Sequence, residues 1–389
     1  MASYVSSSEN RYYVGLEAAF ANAATIAAAN RIAGVSLTAT QKTDRGQRRD
    51  KTGSRTFTGD PQSLRRTTQF DLRTYMTAWS DQTQLPPQGP LFQAGLGAAP
   101  LVSSGGQAAS ASGTTLAFAG PHGLAPGQAV SYGGEIRFVA GVIDSATIQL
   151  NAPFTIAPGQ GTATGTTATY GPATELPSAT VYDYWSPSTA VQRIVYGAAV
   201  NSTRITVNGD YHEFQFSGPA ADIVDSSSFQ SGQAALTAFP SEPAVVAGQY
   251  TVVPGFLGQA WLGPAPTQFF TLTAAQVTID NDLDVRNREF GADLARAISP
   301  GMRSVSLNFS LFQQDDAQTP LLYEAARQRS PMAIMLQLGE QQGQLCGIYM
   351  KSVSLEVPQF DDSKQRLQWS FSTCRAQGLT NDEVFIAFG

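Results

Sequence analysis

The chain has 389 residues, of which 42% are hydrophobic and 14% charged, with a formal net charge of −6. That length allows two or three domains with real cores, and the charged share lies well under the ~25% of ordinary soluble domains. The acidic balance excludes a basic nucleic-acid binder, two cysteines exclude a disulfide framework, and neither a signal peptide nor a bilayer-spanning stretch is legible.

In chain order, the first expected strand covers residues 34–40, and a long polar loop follows at 41–64. Residues 42–66 hold eight basic side chains (Lys42, Arg45, Arg48, Arg49, Lys51, Arg55, Arg65 and Arg66) against Asp44, Asp50 and Asp60. The segment therefore carries +5, and the rest of a chain whose total is −6 carries −11. Such asymmetry suits head-to-tail contact between copies of one protein, because opposite potentials orient docking. A strand is expected at 67–76, where Thr68, Phe70, Leu72 and Met76 alternate with Gln69, Asp71, Arg73 and Tyr75. A short helix at 91–96 precedes residues 101–172, which read as an inserted small β domain flanked by Gly/Ser/Thr/Ala-rich stretches. Strands are then expected at 180–185, 191–207 and 211–217, and a Pro/Gly-rich connector at 226–266.

The second half repeats this order. A strand at 275–280 leads to a long polar loop at 282–302. In the strand at 303–312, Val305, Leu307, Phe309 and Leu311 alternate with small polar residues. Asp315 and Asp316 signal a helix start for a helix at 319–329. Strands follow at 332–338, 344–357 and 365–373. Residues 197–207 (GAAVNSTRITV) lie over 347–357 (GIYMKSVSLEV) without a gap, HEFQFS at 212–217 over LQWSFS at 367–372, and QFDL at 69–72 over NFSL at 308–311. The order and the matches together indicate a duplication.

Residues 277–339 and 366–389, with RDKTGSRTF (49–57), SLRRTTQFDLRTY (63–75) and GPLFQA (89–94) in the first half, resemble the tail tube proteins of long-tailed bacteriophages. The resemblance covers most of the chain outside 101–172. It implies a mostly β fold with short flanking helices: two tandem tail-tube β-sandwich/barrel domains (residues 1–100 together with 173–225, and 267–389) plus the small inserted β domain. It further implies a non-enzymatic virion protein, assembled in the host cytoplasm, whose rings stack into the tail tube that carries DNA to the host. Rings of this family usually hold six such domains, so two per chain imply a homotrimer with pseudo-sixfold symmetry. The partners would be further copies of the chain, the tape measure and tail-end proteins, and double-stranded DNA in transit. The alternatives are a tail-terminal or baseplate ring, or a tail protein whose insert binds cell-surface glycans.

On this reading the polar faces of the long-hairpin strands line the channel: Ser36, Thr38, Gln69, Asp71, Thr278, Asp280, Ser306, Asn308 and Ser310. A polar, weakly acidic wall offers few cationic anchors to phosphates, with Arg73 as the exception. The loops bearing Lys42, Arg45, Arg48, Arg49, Lys51 and Arg55, and Asp282, Asp284, Arg286 and Glu289, are the candidates for bridging rings. No catalytic, cofactor or metal site is expected. His122 and His212 are the only histidines, no Cys-x-x-Cys occurs, and Asp315-Asp316 and Asp361-Asp362 suit a helix start and a turn.

Overall fold

A computed structural model of the chain describes residues 4–46, 49–60, 64–245, 250–263, 266–363 and 365–389. The fold is mostly β with short helices. The first half opens with β1 (Asn10–Leu16), β2 (Arg31–Ile32), β3 (Gly34–Thr43), β4 (Arg66–Tyr75) and helix α1 (Gly89–Leu96). Next come β5 (Leu101–Ser103), β6 (Ala108–Ser112), β7 (Thr115–Phe118), β8 (Ala129–Tyr132), β9 (Glu135–Val142), β10 (Thr147–Leu150) and β11 (Thr167–Tyr170). β12 (Ala179–Trp185), β13 (Arg193–Ala198), β14 (Ser202–Val207), β15 (Glu213–Ala220) and β16 (Asp222–Asp225) complete that half. The second half has β17 (Gly258–Gly263), β18 (Thr267–Gln268), β19 (Leu272–Asp280), β20 (Asp284–Val285), β21 (Ile298–Ser299), β22 (Ser304–Phe312) and α2 (Gln318–Gln328). It ends with β23 (Met332–Leu338), β24 (Cys346–Ser354), β25 (Gln359–Asp361), β26 (Gln368–Ala376) and β27 (Phe385–Phe388).

Strand pairing runs through the same pattern twice. The outer sheet of the first half has the order β16-β13-β12-β1-β2. In the second half β27, β24, β23, β17 and β18 pair in the corresponding order, again antiparallel throughout. The inner strands correspond as well: β3-β4-β15-β14 in one half and β19-β22-β26-β24 in the other. β24 serves both sheets, pairing with β27 over its first four residues, with β23 as far as Val353, and with β26 at Val353 and Ser354. The first half divides that task between β13 and β14.

Two boundaries differ from the sequence reading. β17, placed there in the connector, is the counterpart of β1 and an integral strand of the second outer sheet. Its six residues, GQAWLG, lie in Pro- and Gly-rich surroundings that hide a strand. The insert also divides: β6 to β10 form their own sheet, whereas β5 and β11 join the large sheet through β27.

Inner and outer sheets enclose one continuous apolar core, into which β4 sends Phe70 and Leu72 and β22 sends Val305, Leu307, Phe309 and Leu311. Helix α1 is buried within it, and the Phe92 ring packs edge-on against Phe214, Phe216 and Phe388. Gly95 permits that depth, since a Cβ there would meet Thr203 Oγ1 at 2.7 Å. At α2, Asp316 Oδ1 accepts the Gln318 and Thr319 N–H groups at 3.1 and 2.7 Å, which satisfies two orphan donors of the first turn.

The far faces of both outer sheets are covered. Tyr13, Tyr182, Tyr184 and Tyr196 of the first pack under Phe20, Phe229 and Phe239. On the second, Trp261, Met335 and Tyr349 pack against Ile136 and Phe138 of the insert. Gly347 lets the insert approach, since a Cβ there would lie 2.8 Å from the Phe138 ring. Of these two layers, the inner sheet keeps a face toward solvent.

Candidate assembly interface

The two inner sheets are joined within the chain. β14 pairs with β19 over six residues, from Ser202 opposite Asp280 to Val207 opposite Ala275. The result is a continuous eight-strand surface in the order β3-β4-β15-β14-β19-β22-β26-β24. Among the described residues β3 pairs with β4 alone, and β25, which continues the line of β24, pairs with β26 alone. These two borders are the counterparts of the two strands that meet at the junction: β3 corresponds to β19, and β25 to β14, since Phe360 stands opposite Trp369 as Ile205 stands opposite Phe214. Unpaired N–H and C=O groups along a sheet border invite another strand. Exposed apolar side chains mark both, Val35 on one and Val357 and Phe360 on the other.

The nine expected channel residues all lie on the solvent face of this sheet, opposite the core. One row across it reads Ser36, Arg73, Gln215, Arg204, Thr278, Ser306 and Arg375. The next reads Thr38, Asp71, Ser217, Ser202, Asp280 and Ser304. Gln69, Asn308 and Ser310 occupy neighbouring rows. Small polar contacts knit the face: Gln215 Nε2 donates to Asp71 Oδ2 at 2.6 Å, and the Ser310 and Ser370 hydroxyls meet at 3.0 Å.

The face carries more arginine than the long-hairpin strands alone show: Arg204 and Arg375 join Arg73 there, in the same row. Arg73 lies 3.7 Å from Asp71 and 3.9 Å from Glu213, so its charge is partly offset. Alternation along the long-hairpin strands shows Arg73 alone; β14 and β26 supply the other arginines because they are interleaved with those strands in space.

The loops are placed unequally. Lys42 is the last residue but one of β3, and Arg45, Arg49, Lys51 and Arg55 are exposed, with Arg45 3.6 Å from Asp60. Arg48 lies outside the described residues. The second loop does not project freely. Asp284 lies on β20, which pairs with β21, and Arg286 pairs with Glu289. The loop lies against the first half: Leu283 N–H donates to Asn201 Oδ1 at 2.8 Å, and Arg66 N–H to the Asp293 carbonyl at 2.9 Å. Asn281, just before Asp282, is buried and donates to the Gly95 and Val200 carbonyls, both at 2.9 Å.

No family model matches this chain. No curated protein matches it in sequence.

Among the described residues no cluster of His, Cys, Asp and Glu is arranged to hold a metal ion, and no helix is long and apolar enough to cross a membrane. Cys346 and Cys374 are buried free thiols. Burial pushes the Cys374 thiol up to about 11, away from nucleophilic use at neutral pH. His212 is a core residue whose ring nitrogen meets the Leu257 carbonyl at 3.0 Å.

Proposed function

We propose that the chain is a structural subunit that closes with further copies into rings and stacks as the wall of a phage-type tail tube. The observation that carries this reading is the β14–β19 junction. One half of the molecule already presents the border that the other half completes, and the corresponding borders remain at the two ends of the eight-strand sheet. Repeating the internal contact between chains joins β24 and β25 of one copy to β3 of the next. Such a contact is heterologous, and it ends only when a ring closes. Closure removes both free borders of the inner sheet, as in barrels formed by a single chain.

With two halves per chain, three chains give the six-unit ring that the resemblance implies. The inner sheet then faces the channel with short hydroxyl and amide side chains and a near balance of acids and arginines. A balanced wall gives phosphates little net attraction to hold a passing duplex. The +5 carried by residues 42–66, against an acidic remainder, favours a fixed polarity when copies meet.

Electron microscopy of the purified protein, with mass measurement, tests the reading. The expected result is a filament with a central channel, built of rings that weigh three chains. Rings that never stack would reassign the protein to a terminal or baseplate position. A stable monomer at high concentration would end the proposal.

A further inference from the structure

The junction inside the chain also shows what a long hairpin loop does to its neighbour. The loop between β19 and β22 reaches back over the first half and fills the space beside Arg66. There Arg66 binds Asp222 of its own half at 3.2 Å and Asp293 of the visiting loop at 3.4 Å. The second half holds the corresponding pair, Arg303 with Glu383, at 2.8 Å. The positions agree: Arg66 opens β4 while Arg303 immediately precedes β22, and Asp222 opens β16 while Glu383 lies just before β27.

Beside Arg303 there is a cleft of about 610 Å³, lined by Glu175, Asn281, Leu379, Asn381 and Glu383 among others. It corresponds to the place that the visiting loop occupies in the first half. The chain has one other long hairpin loop, between β3 and β4. It leaves the far end of the inner sheet, with β15, β14 and β19 between β4 and β22, and none of its described residues lines this cleft.

We infer that the cleft at Arg303 receives the β3–β4 loop of a second copy, clasping neighbours sideways within one ring. This rests on the ring reading. When β3 of the next copy lies along β24 and β25, its loop stands to Arg303 as the β19–β22 loop stands to Arg66. The chemistry is complementary. The loop brings Arg49, Lys51 and Arg55 to a rim that holds the exposed Glu175. It also brings Phe57, 68% exposed, to a cleft that holds Leu379, 92% exposed. Asp60 is the acid that takes the place of Asp293. The role differs from the bridging between rings expected from the sequence: the loop would hold a ring together.

The test uses the full chain with Arg55→Cys and Glu175→Cys together; the native thiols are buried and do not compete. Oxidised single rings, separated from stacked ones by size, should yield covalent dimers and trimers on a non-reducing denaturing gel. Rings that form yet give only single chains, or chains linked only when stacked, would overturn the clasp and leave the ring reading standing. A second variant replaces residues 49–60 by a Gly/Ser linker. It should keep the β circular-dichroism signature and fail to close rings. Intact rings that merely stop stacking would show that the loop works between rings and would likewise overturn the inference. If the unaltered protein forms no rings at all, the clasp falls with the ring reading.

Discussion

His212 shows how a residue with apparent chemistry is spent on structure. Its ring is 1% exposed, and its contact with the Leu257 carbonyl ties β15 to the chain leading into β17. Burial is the main cause that lowers its pKa from the ordinary value near 6.5, and the hydrogen bond to Leu257 opposes it only in part. A depressed histidine contributes stability that is fully present above the unfolded value and is lost as pH falls toward the folded one. Melting temperature should therefore drop between pH 7 and pH 5. His212→Gln keeps a donor for Leu257 without the titration, so its drop over the same range should be smaller. Equal drops in the two proteins would remove His212 as a source of acid sensitivity.

Among elements, β3 matters most for assembly because it has a partner on one side only. Asp44 N–H donates to the Arg65 carbonyl across the hairpin at 2.8 Å. Alternation along an antiparallel ladder then turns the N–H groups of Lys42, Thr40 and Thr38 toward β4 and that of Ala39 toward the open border. Proline removes a donor and is tolerated on an edge whose N–H faces solvent. Ala39→Pro should leave the monomer folded and abolish rings, read by circular dichroism and sedimentation. Thr40→Pro removes a bond to β4 and should lower the melting temperature of the monomer itself. If the Ala39 variant assembles normally, β3 is not the joining edge.

At the level of the whole molecule, the insert is fixed to the second half rather than tethered to it. Arg137 is fully buried; its guanidinium lies 3.1 Å from Glu135, 3.2 Å from Gln337 Oε1 and 4.7 Å from the centre of the Trp261 ring. Burial pushes its pKa down to about 10 and Glu135 opposes this, so the group stays charged at neutral pH. Removing one member of a buried ion pair costs about 3–5 kcal/mol, because the partner is left unpaired. Arg137→Ala should destabilise by about that amount in denaturant titration. Arg137→Met in a Glu135→Gln background should cost less. If the two variants lose the same stability, the site acts through packing alone.

The repeated strand order was legible because period-two alternation in β4 and β22 survives in the linear sequence, whereas the gapless match of 197–207 over 347–357 is out of register: Ala198 pairs with Ala179 where Val353 pairs with Met332, so Ala198 stands in the place of Val353 and not of Ile348. The polar face of the inner sheet was legible for the same reason, since side-chain direction in a strand follows from its neighbours. The correspondence of β17 with β1 was not, because a six-residue strand among prolines and glycines has no period to read. Nor were Arg204 and Arg375 on the shared face, the docking of loop 282–302 beside Arg66, or the cleft at Arg303. Each depends on which strand lies beside which. Long-range pairing sets that order, and local sequence carries no record of it.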